Sequence, residues 1–285
     1  MSRSSSQIVP SRNLKIPGIG AIAVGEPGSP VLLCLHGWGG SREIWRRFIE
    51  LYGPDRYIVS LDLPGTRGTK PLSEWTHLAF VDWLFETADR LGVDRFALMG
   101  HSMGGNTAAH AAAAAPGRIE KLILVNAAIY SDKLESARLY VGPSHGPVVL
   151  RIVRIVSGIA GWLSTLFPED AKGGTWRPWL RRSGYFYSHN SADVLHCQLK
   201  AMVEAPFDPS TLPSSMPVLV FHGELDTVVP VAQARELWRE LCARDGADAA
   251  ANSKLIVYPH ARHVPLDTDP YNFVKDIRAF LDGAG

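Results

Sequence analysis

Apolar residues along this chain fall into short unbroken runs, separated by stretches where they recur with helical spacing. Val31-Leu-Leu-Cys-Leu35 contains no polar position, the pattern of a strand buried on both faces. Tyr57 to Leu61 and Lys121 to Val125, each with a single polar position, and Phe96 to Met99, Val218 to Phe221 and Leu255 to Tyr258 also read as strands. Between them lie predicted helices. Ser41 to Leu51 places Ile44, Trp45, Phe48 and Ile49 on one face, with Ser41 as N-cap. Leu78 to Leu91 follows. Met103 to Ala115 is dominated by alanine, the strongest helix former, and Pro116-Gly117 ends it. Val231 to Cys242 and Asn272 to Leu281 complete the set. Strands alternating with helices at this spacing predict βαβ units and a parallel sheet. Leu14 to Val24 has the look of a short hairpin, and the serine-rich start predicts a flexible tail over residues 1–12.

The alternation lapses between about Ala128 and Phe207. Gly142-Pro143 and Gly146-Pro147 break the chain there, and an apolar, helical-looking segment runs from Val148 to Phe167. Trp162, Trp176, Trp179, Tyr185, Phe186 and Tyr187 concentrate in the same stretch. The reading is a core of residues 13–127 and 211–285 interrupted by a helical cap, 128–210.

Composition narrows the function. The 285 residues carry 29 Lys plus Arg against 28 Asp plus Glu, which disfavours a nucleic-acid binder living on phosphate contacts. Three distant cysteines, Cys34, Cys197 and Cys242, argue against a disulfide scaffold and for a reducing, cytoplasmic setting. No secretory signal is visible, and Arg151 and Arg154 interrupt the longest apolar stretch, so no membrane span is expected.

The chemistry centres on Gly100-His101-Ser102-Met103-Gly104-Gly105, between a predicted strand and a predicted helix. In that context Gly-x-Ser-x-Gly is specific: the serine sits on a strained turn with its hydroxyl exposed, and the glycines leave room for crowding elements. Serine needs a base, expected after the last strand, and an acid between the two in sequence. His260 and His263 are the base candidates. His263 fits better, because Val264-Pro265 follow it and His260 reads as a loop histidine. Asp226, before Val-Val-Pro230, is the acid, with Glu224 as its competitor. The backbone N–H groups of Met103 and of Trp38, in the loop His36-Gly-Trp-Gly-Gly40, are the expected oxyanion donors. His36 itself reads as a brace of that loop. His260-x-x-His263 lacks further ligands for a metal site, so no metal and no cofactor is expected.

These residues, in this order, resemble the α/β-hydrolase superfamily over about Val31 to the C-terminus. His36-Gly-Trp-Gly39 with Trp45, and Gly-x-Leu-Asp226-x-Val-Val-Pro230, are similar to small bacterial carboxylesterases such as the pimeloyl-carrier-protein methyl ester esterases. The Gly100–Gly105 motif also resembles lipases, meta-cleavage C–C hydrolases and cofactor-free haloperoxidases. The resemblance implies an α/β-hydrolase fold: a mostly parallel eight-stranded sheet flanked by helices, with an inserted helical cap and a Ser-His-Asp triad. Serine at position 102 disfavours the dehalogenase and epoxide hydrolase branches, which use aspartate there. In Asp62-Leu-Pro-Gly65-Thr-Arg-Gly68, Arg67 departs from the family's compact residue and is expected to alter the pocket entrance.

The resulting expectation is a carboxylic ester hydrolase acting on an ester, thioester or lactone through an acyl-enzyme, its acyl substrate small and free or carrier-bound. C–C bond hydrolysis and a non-catalytic ligand-binding role are the alternatives. Between Arg138 and Lys200 there are eight Lys or Arg against three Asp or Glu. Arg151, Arg154, Arg181 and Arg182 are therefore candidates for a basic rim, weighed against an ordinary solvated surface.

Overall fold

The computed structural model describes residues 8–141, 146, 148–152, 155–156, 190–245 and 253–283. Its eight strands are β1 (Arg12–Asn13), β2 (Ala21–Val24), β3 (Val31–Leu35), β4 (Tyr57–Leu61), β5 (Phe96–His101), β6 (Ile119–Val125), β7 (Val218–Gly223) and β8 (Lys254–Tyr258). They form one sheet in the order β1-β2-β4-β3-β5-β6-β7-β8. β1 and β2 pair antiparallel, as does β2 with β4, and the remaining pairs are parallel. This is the mostly parallel eight-stranded sheet that the resemblance implies.

The unbroken apolar runs have a direct cause. Leu33 and Leu35 of β3 face one hydrophobic cluster while Leu32 and Cys34 face the other, and all four are fully buried. A strand covered on both sides has no solvent face to alternate toward. The helices are α1 (Arg46–Tyr52), α2 (His77–Arg90), α3 (Met103–Ala114), α4 (Glu135–Val141), α5 (Ala192–Val203), α6 (Val231–Asp245) and α7 (Pro270–Asp282), of which α1, α2, α3, α6 and α7 cover the sheet. On α3, Ala108, Ala109, Ala111 and Ala112 are fully buried: alanine lets this helix lie close to the sheet. Across the sheet Trp45, Phe48, Phe221 and Phe273 pack ring to ring, with centroids 4.8 to 6.4 Å apart in successive pairs.

Two local readings change. The helix expected from Ser41 opens as a 3-10 turn, Arg42–Trp45, and becomes α-helical only at Arg46, although Ser41 does cap it through Glu43 N–H. The tail expected over residues 1–12 is tied down earlier. Val9 N–H donates to Glu50 O at 3.3 Å, Ser11 Oγ donates to Glu50 Oε1 at 2.8 Å, and Arg12 already pairs with Ala23. A carboxylate on the outer face of α1 and an open sheet edge supply partners that a reading of the serine-rich segment alone cannot see.

The chain leaves the sheet after β6 and returns before β7. Its exit and return lie side by side, with Phe207 N–H donating to Ile129 O at 3.2 Å and Ser131 Oγ to Met202 O at 2.8 Å. The described part of this excursion is helical, in α4, in residues 148–152 and 155–156, and in α5.

Candidate active site

Ser102 stands between β5 and α3 with φ 53° and ψ −117°, a left-handed conformation that costs a non-glycine residue about 1–3 kcal/mol. Its backbone leaves little alternative. Ser102 N–H donates to Val125 O at 3.0 Å, and Ser102 O accepts from Gly105, Asn106 and Ala128 N–H at 2.9 to 3.2 Å. The flanking glycines are required by space. A Cβ on Gly100 would lie 2.2 Å from Gly104 O, and one on Gly104 would lie 2.4 Å from His36 O. Met103 is the first residue of α3, so its N–H has no acceptor within the helix.

Asp226 and His263 come together from the loops after β7 and β8. His263 Nδ1 lies 2.8 Å from Asp226 Oδ2. With Nδ1–H donating there, Nε2 keeps its lone pair, the arrangement a general base needs. The second carboxylate oxygen accepts from Val228 and Val229 N–H at 2.8 and 3.0 Å. Burial works to raise the Asp226 pKa, but the His222, His263 and Asn126 side chains outweigh it, and the carboxyl is held well below its ordinary range. Glu224, the competing acid, instead accepts from Arg235 Nη2 at 2.6 Å near the surface. His260 is on an exposed turn.

The early loop reaches the same place. A Cβ on Gly37 would fall 2.8 Å from His101 Nδ1 and 2.9 Å from Ser102 Cβ, so this loop touches the serine only because position 37 is bare. Its neighbour Trp38 donates from Nε1 to Leu195 O of α5 at 2.7 Å and packs on Tyr140. Asn190 Nδ2 donates to Gly39 O, and Gln198 Nε2 to Pro64 O, at 3.3 and 2.9 Å. The excursion is thus fastened to the Gly37 loop that borders Ser102 and to the Leu63–Pro64 loop joined to it through His36. His36 braces these loops: Nδ1 donates to Gly37 O at 2.7 Å and Nε2 accepts from Leu63 N–H at 2.9 Å. Burial lowers its pKa, which keeps the ring neutral. Arg67 is exposed at φ 43°, and its charge also acts on His36 to lower that pKa.

Three buried residues in the site have no role in the sequence reading, although His101 lies within the Gly100–Gly105 motif. Asn126, after β6, has φ 44°, and its Nδ2 donates to Asp226 Oδ2 at 2.6 Å and to Arg262 O at 3.3 Å. His222 donates from Nε2 to Val229 O at 2.9 Å and lies 3.4 Å from Asp226 Oδ2. His101 donates from Nε2 to His263 O at 2.7 Å. Each sits at the carboxyl end of a predicted strand, which is the one signal that could have drawn attention to them.

Of the rim arginines, Arg151 is exposed and pairs with Asp193 at 3.4 Å. Arg154, Arg181 and Arg182, with the aromatic residues from Trp162 to Tyr187, lie outside the described residues. Among the described residues no three His, Cys, Asp or Glu side chains are grouped to hold a metal ion, and no helix is long and apolar enough to cross a membrane.

Residues 30–145 match the family model for the alpha/beta hydrolase fold. A hydrolase from Pseudomonas aeruginosa superposes with a TM-score of 0.72 at 20% identity, over 95% of this chain and 98% of the other. The enol-lactonase of Burkholderia xenovorans does so with a TM-score of 0.69 at 18% identity, over 95% and 100%. The chain thus has the α/β-hydrolase fold, and its residues 30–145 carry the match to that family. It is 26% identical to the pimeloyl-[acyl-carrier protein] methyl ester esterase of Pectobacterium atrosepticum, over 89% of this chain and 94% of that one.

Proposed function

We propose that the protein is a serine hydrolase that cleaves a carboxylic ester, thioester or lactone, with Ser102 as nucleophile, His263 as base and Asp226 as the acid that orients it. The reading rests on one observation above the others. An ionised carboxylate holds His263 by Nδ1, 2.8 Å away, and the backbone of His263 is bonded to His101, the neighbour of a serine locked at positive φ.

The steps follow from those positions. His263 Nε2 takes the Ser102 hydroxyl proton as Oγ bonds to the substrate carbonyl carbon, and the carbonyl oxygen becomes an oxyanion facing the Met103 and Trp38 backbone N–H groups. The intermediate collapses, the bond to the leaving alkoxide or thiolate breaks, and His263 gives that group the proton. Water then repeats the sequence on the acyl-enzyme: His263 removes its proton, the acid is released, and the proton returns to Ser102. Asp226 stays ionised throughout and stabilises the imidazolium, which its depressed pKa supports.

Residues 128–210 act in this reading as a cap that selects the acyl group. The carrier-protein ester named for the Pectobacterium relative supports a carrier-bound substrate as one member of the class. The cysteines are free thiols, as a cytoplasmic enzyme requires.

The test is labelling with a fluorophosphonate followed by peptide mass spectrometry, together with turnover of a panel of esters, thioesters and lactones of varied chain length. The adduct is expected on Ser102 and turnover is expected to vanish in Ser102→Ala. An adduct on another residue, with Ser102→Ala still active, overturns the assignment. Turnover only of a vinylogous diketone would move the protein to the C–C hydrolases.

A further inference from the structure

His101 precedes the serine and points the other way, into the protein. It is 4% exposed. Its Nε2 donates to the backbone oxygen of His263 at 2.7 Å, and the two rings lie 4.7 Å apart. The loop around His263 has no regular secondary structure. Among the described residues, this is the one hydrogen bond made by the main chain of His263. The side chain of His263 is oriented by Asp226, whereas its backbone is located by the residue next to Ser102.

The ring is fixed from its other sides. Trp45 packs edge-on at 6.4 Å. Gly37 passes close to Nδ1, where a Cβ would come to 2.8 Å, and Nδ1 has no hydrogen-bond partner among the described residues. Burial and the neighbouring His263 hold the His101 pKa down at about 3, so at neutral pH the ring carries one proton. The contact with a carbonyl oxygen assigns that proton to Nε2.

We propose that His101 is a positioning residue for the reaction: its Nε2–H ties the backbone of His263 to the nucleophile strand, and so sets the reach between Ser102 Oγ and His263 Nε2. It does not touch substrate and transfers no proton. Asp226 fixes the direction of the imidazole, and Asn126 Nδ2 and Leu225 N–H hold the preceding Arg262 and Ala261 carbonyls, but the carbonyl of His263 itself is held by His101. A displacement of about 1 Å between nucleophile and base is enough to cost as much as 10²-fold in rate. The proposal rests on Ser102 and His263 being nucleophile and base.

Three substitutions separate this role from simple packing. His101→Gln keeps an amide N–H at nearly the reach of Nε2. His101→Asn keeps a polar group but is too short to reach His263 O. His101→Leu removes the donor and retains bulk. Turnover of p-nitrophenyl butyrate is measured for each beside the native protein and Ser102→Ala, with circular dichroism to confirm folding. His101→Asn and His101→Leu are expected to lose about 10–100-fold in kcat with KM changed less than about 3-fold, and His101→Gln to recover most of the loss. If His101→Leu fails to fold, the contrast between Asn and Gln decides. Equal kcat in those two variants, with Ser102→Ala inactive, overturns the positioning role alone. Undiminished turnover in Ser102→Ala overturns the catalytic reading and this proposal with it.

Discussion

Two regions meet above Ser102 and are built by opposite rules. At the carboxyl ends of β3, β5, β6 and β7, His36, His101, Asn126 and His222 are at most 4% exposed. Each bonds to a loop that carries a candidate catalytic group. In the excursion, Val148, Ile152, Ile155 and Val156 are more than half exposed, while Leu150 beside them is fully buried. Arg151 meets Asp193 in a pair open to solvent. Breaking a buried hydrogen bond leaves a desolvated partner and costs about 1–3 kcal/mol, whereas an exposed pair is worth little. The geometry of the proposed catalytic groups is therefore fixed where change is expensive. The surface over it is built where substitutions are tolerated, which is where substrate choice can vary.

The largest effect expected from disturbing the first region is in Ser102→Ala. Removing the proposed nucleophile should lower kcat by roughly 10⁴–10⁶, with the unfolding midpoint in urea held or raised, because alanine keeps the turn and its backbone bonds. Asp226→Asn comes next, at about 10⁴ in kcat, since the amide presents the wrong group to His263 Nδ1 and to Asn126. If Glu224→Gln produced that loss and Asp226→Asn did not, the acid would lie on the other carboxylate.

Gly37→Ala is expected to fall below these. The added methyl meets His101 and Ser102 at once, so the early loop must withdraw from the serine. A loss of about 10–100-fold in kcat, with a smaller change in KM, is expected from steady-state kinetics. Gly104→Ala presses on the His36 and Leu35 backbone and should instead appear as about 1–3 kcal/mol of lost stability in chemical denaturation.

The same region should make stability depend on pH, with a sign that can be stated. The folded pKa of His101 lies below its unfolded value of about 6.5. The unfolded chain therefore takes up its proton first as pH falls, and stability is lost progressively from about pH 6.5 toward 3. His36 contributes in the same direction. Asp226, also depressed, is fully stabilising above the ordinary carboxylate range, and its share is lost only below about pH 4. Urea unfolding at pH 7.5, 5.5 and 4.5 should show the first loss flattened in His101→Gln and preserved in Asp226→Asn.

How much of this was legible beforehand follows the same division. The strands of the core announce themselves, because Leu32 to Leu35 and Leu122 to Val125 must be apolar on both faces. Ser102, Asp226 and His263 follow from the order of motifs along those strands, and the structure brings Asp226 and His263 into contact. Asn126, His101 and His222 were not legible as site residues. Their roles are hydrogen bonds across 100, 162 and 7 positions, and a lone polar residue at a strand end has no periodicity to betray its partner. The excursion was readable as an interruption, but its fastening through Trp38, Asn190 and Gln198 depends on side chains meeting backbone carbonyls far away in sequence.

The smallest expected effect tests the second region directly. Arg151 and Asp193 are 64% and 71% exposed along their side chains, so Arg151→Gln should move the melting temperature by less than about 3 °C. If this surface only solvates the protein, nothing else changes. If it receives an acidic carrier or a carboxylate-bearing acyl group, one exposed charge contributes at most about 1 kcal/mol at contact distance in water. KM for such a substrate should then rise roughly 2–5-fold at low salt. The rise should fade as ionic strength passes about 0.15 M, where charges are screened over about 8 Å. Turnover of a small neutral ester should be unchanged, because no bond at the strand ends involves Arg151. An equal loss on neutral and anionic substrates, unmoved by salt, would mean that the excursion shapes the chemistry as well as the choice of substrate, and the contrast between the two regions would fail.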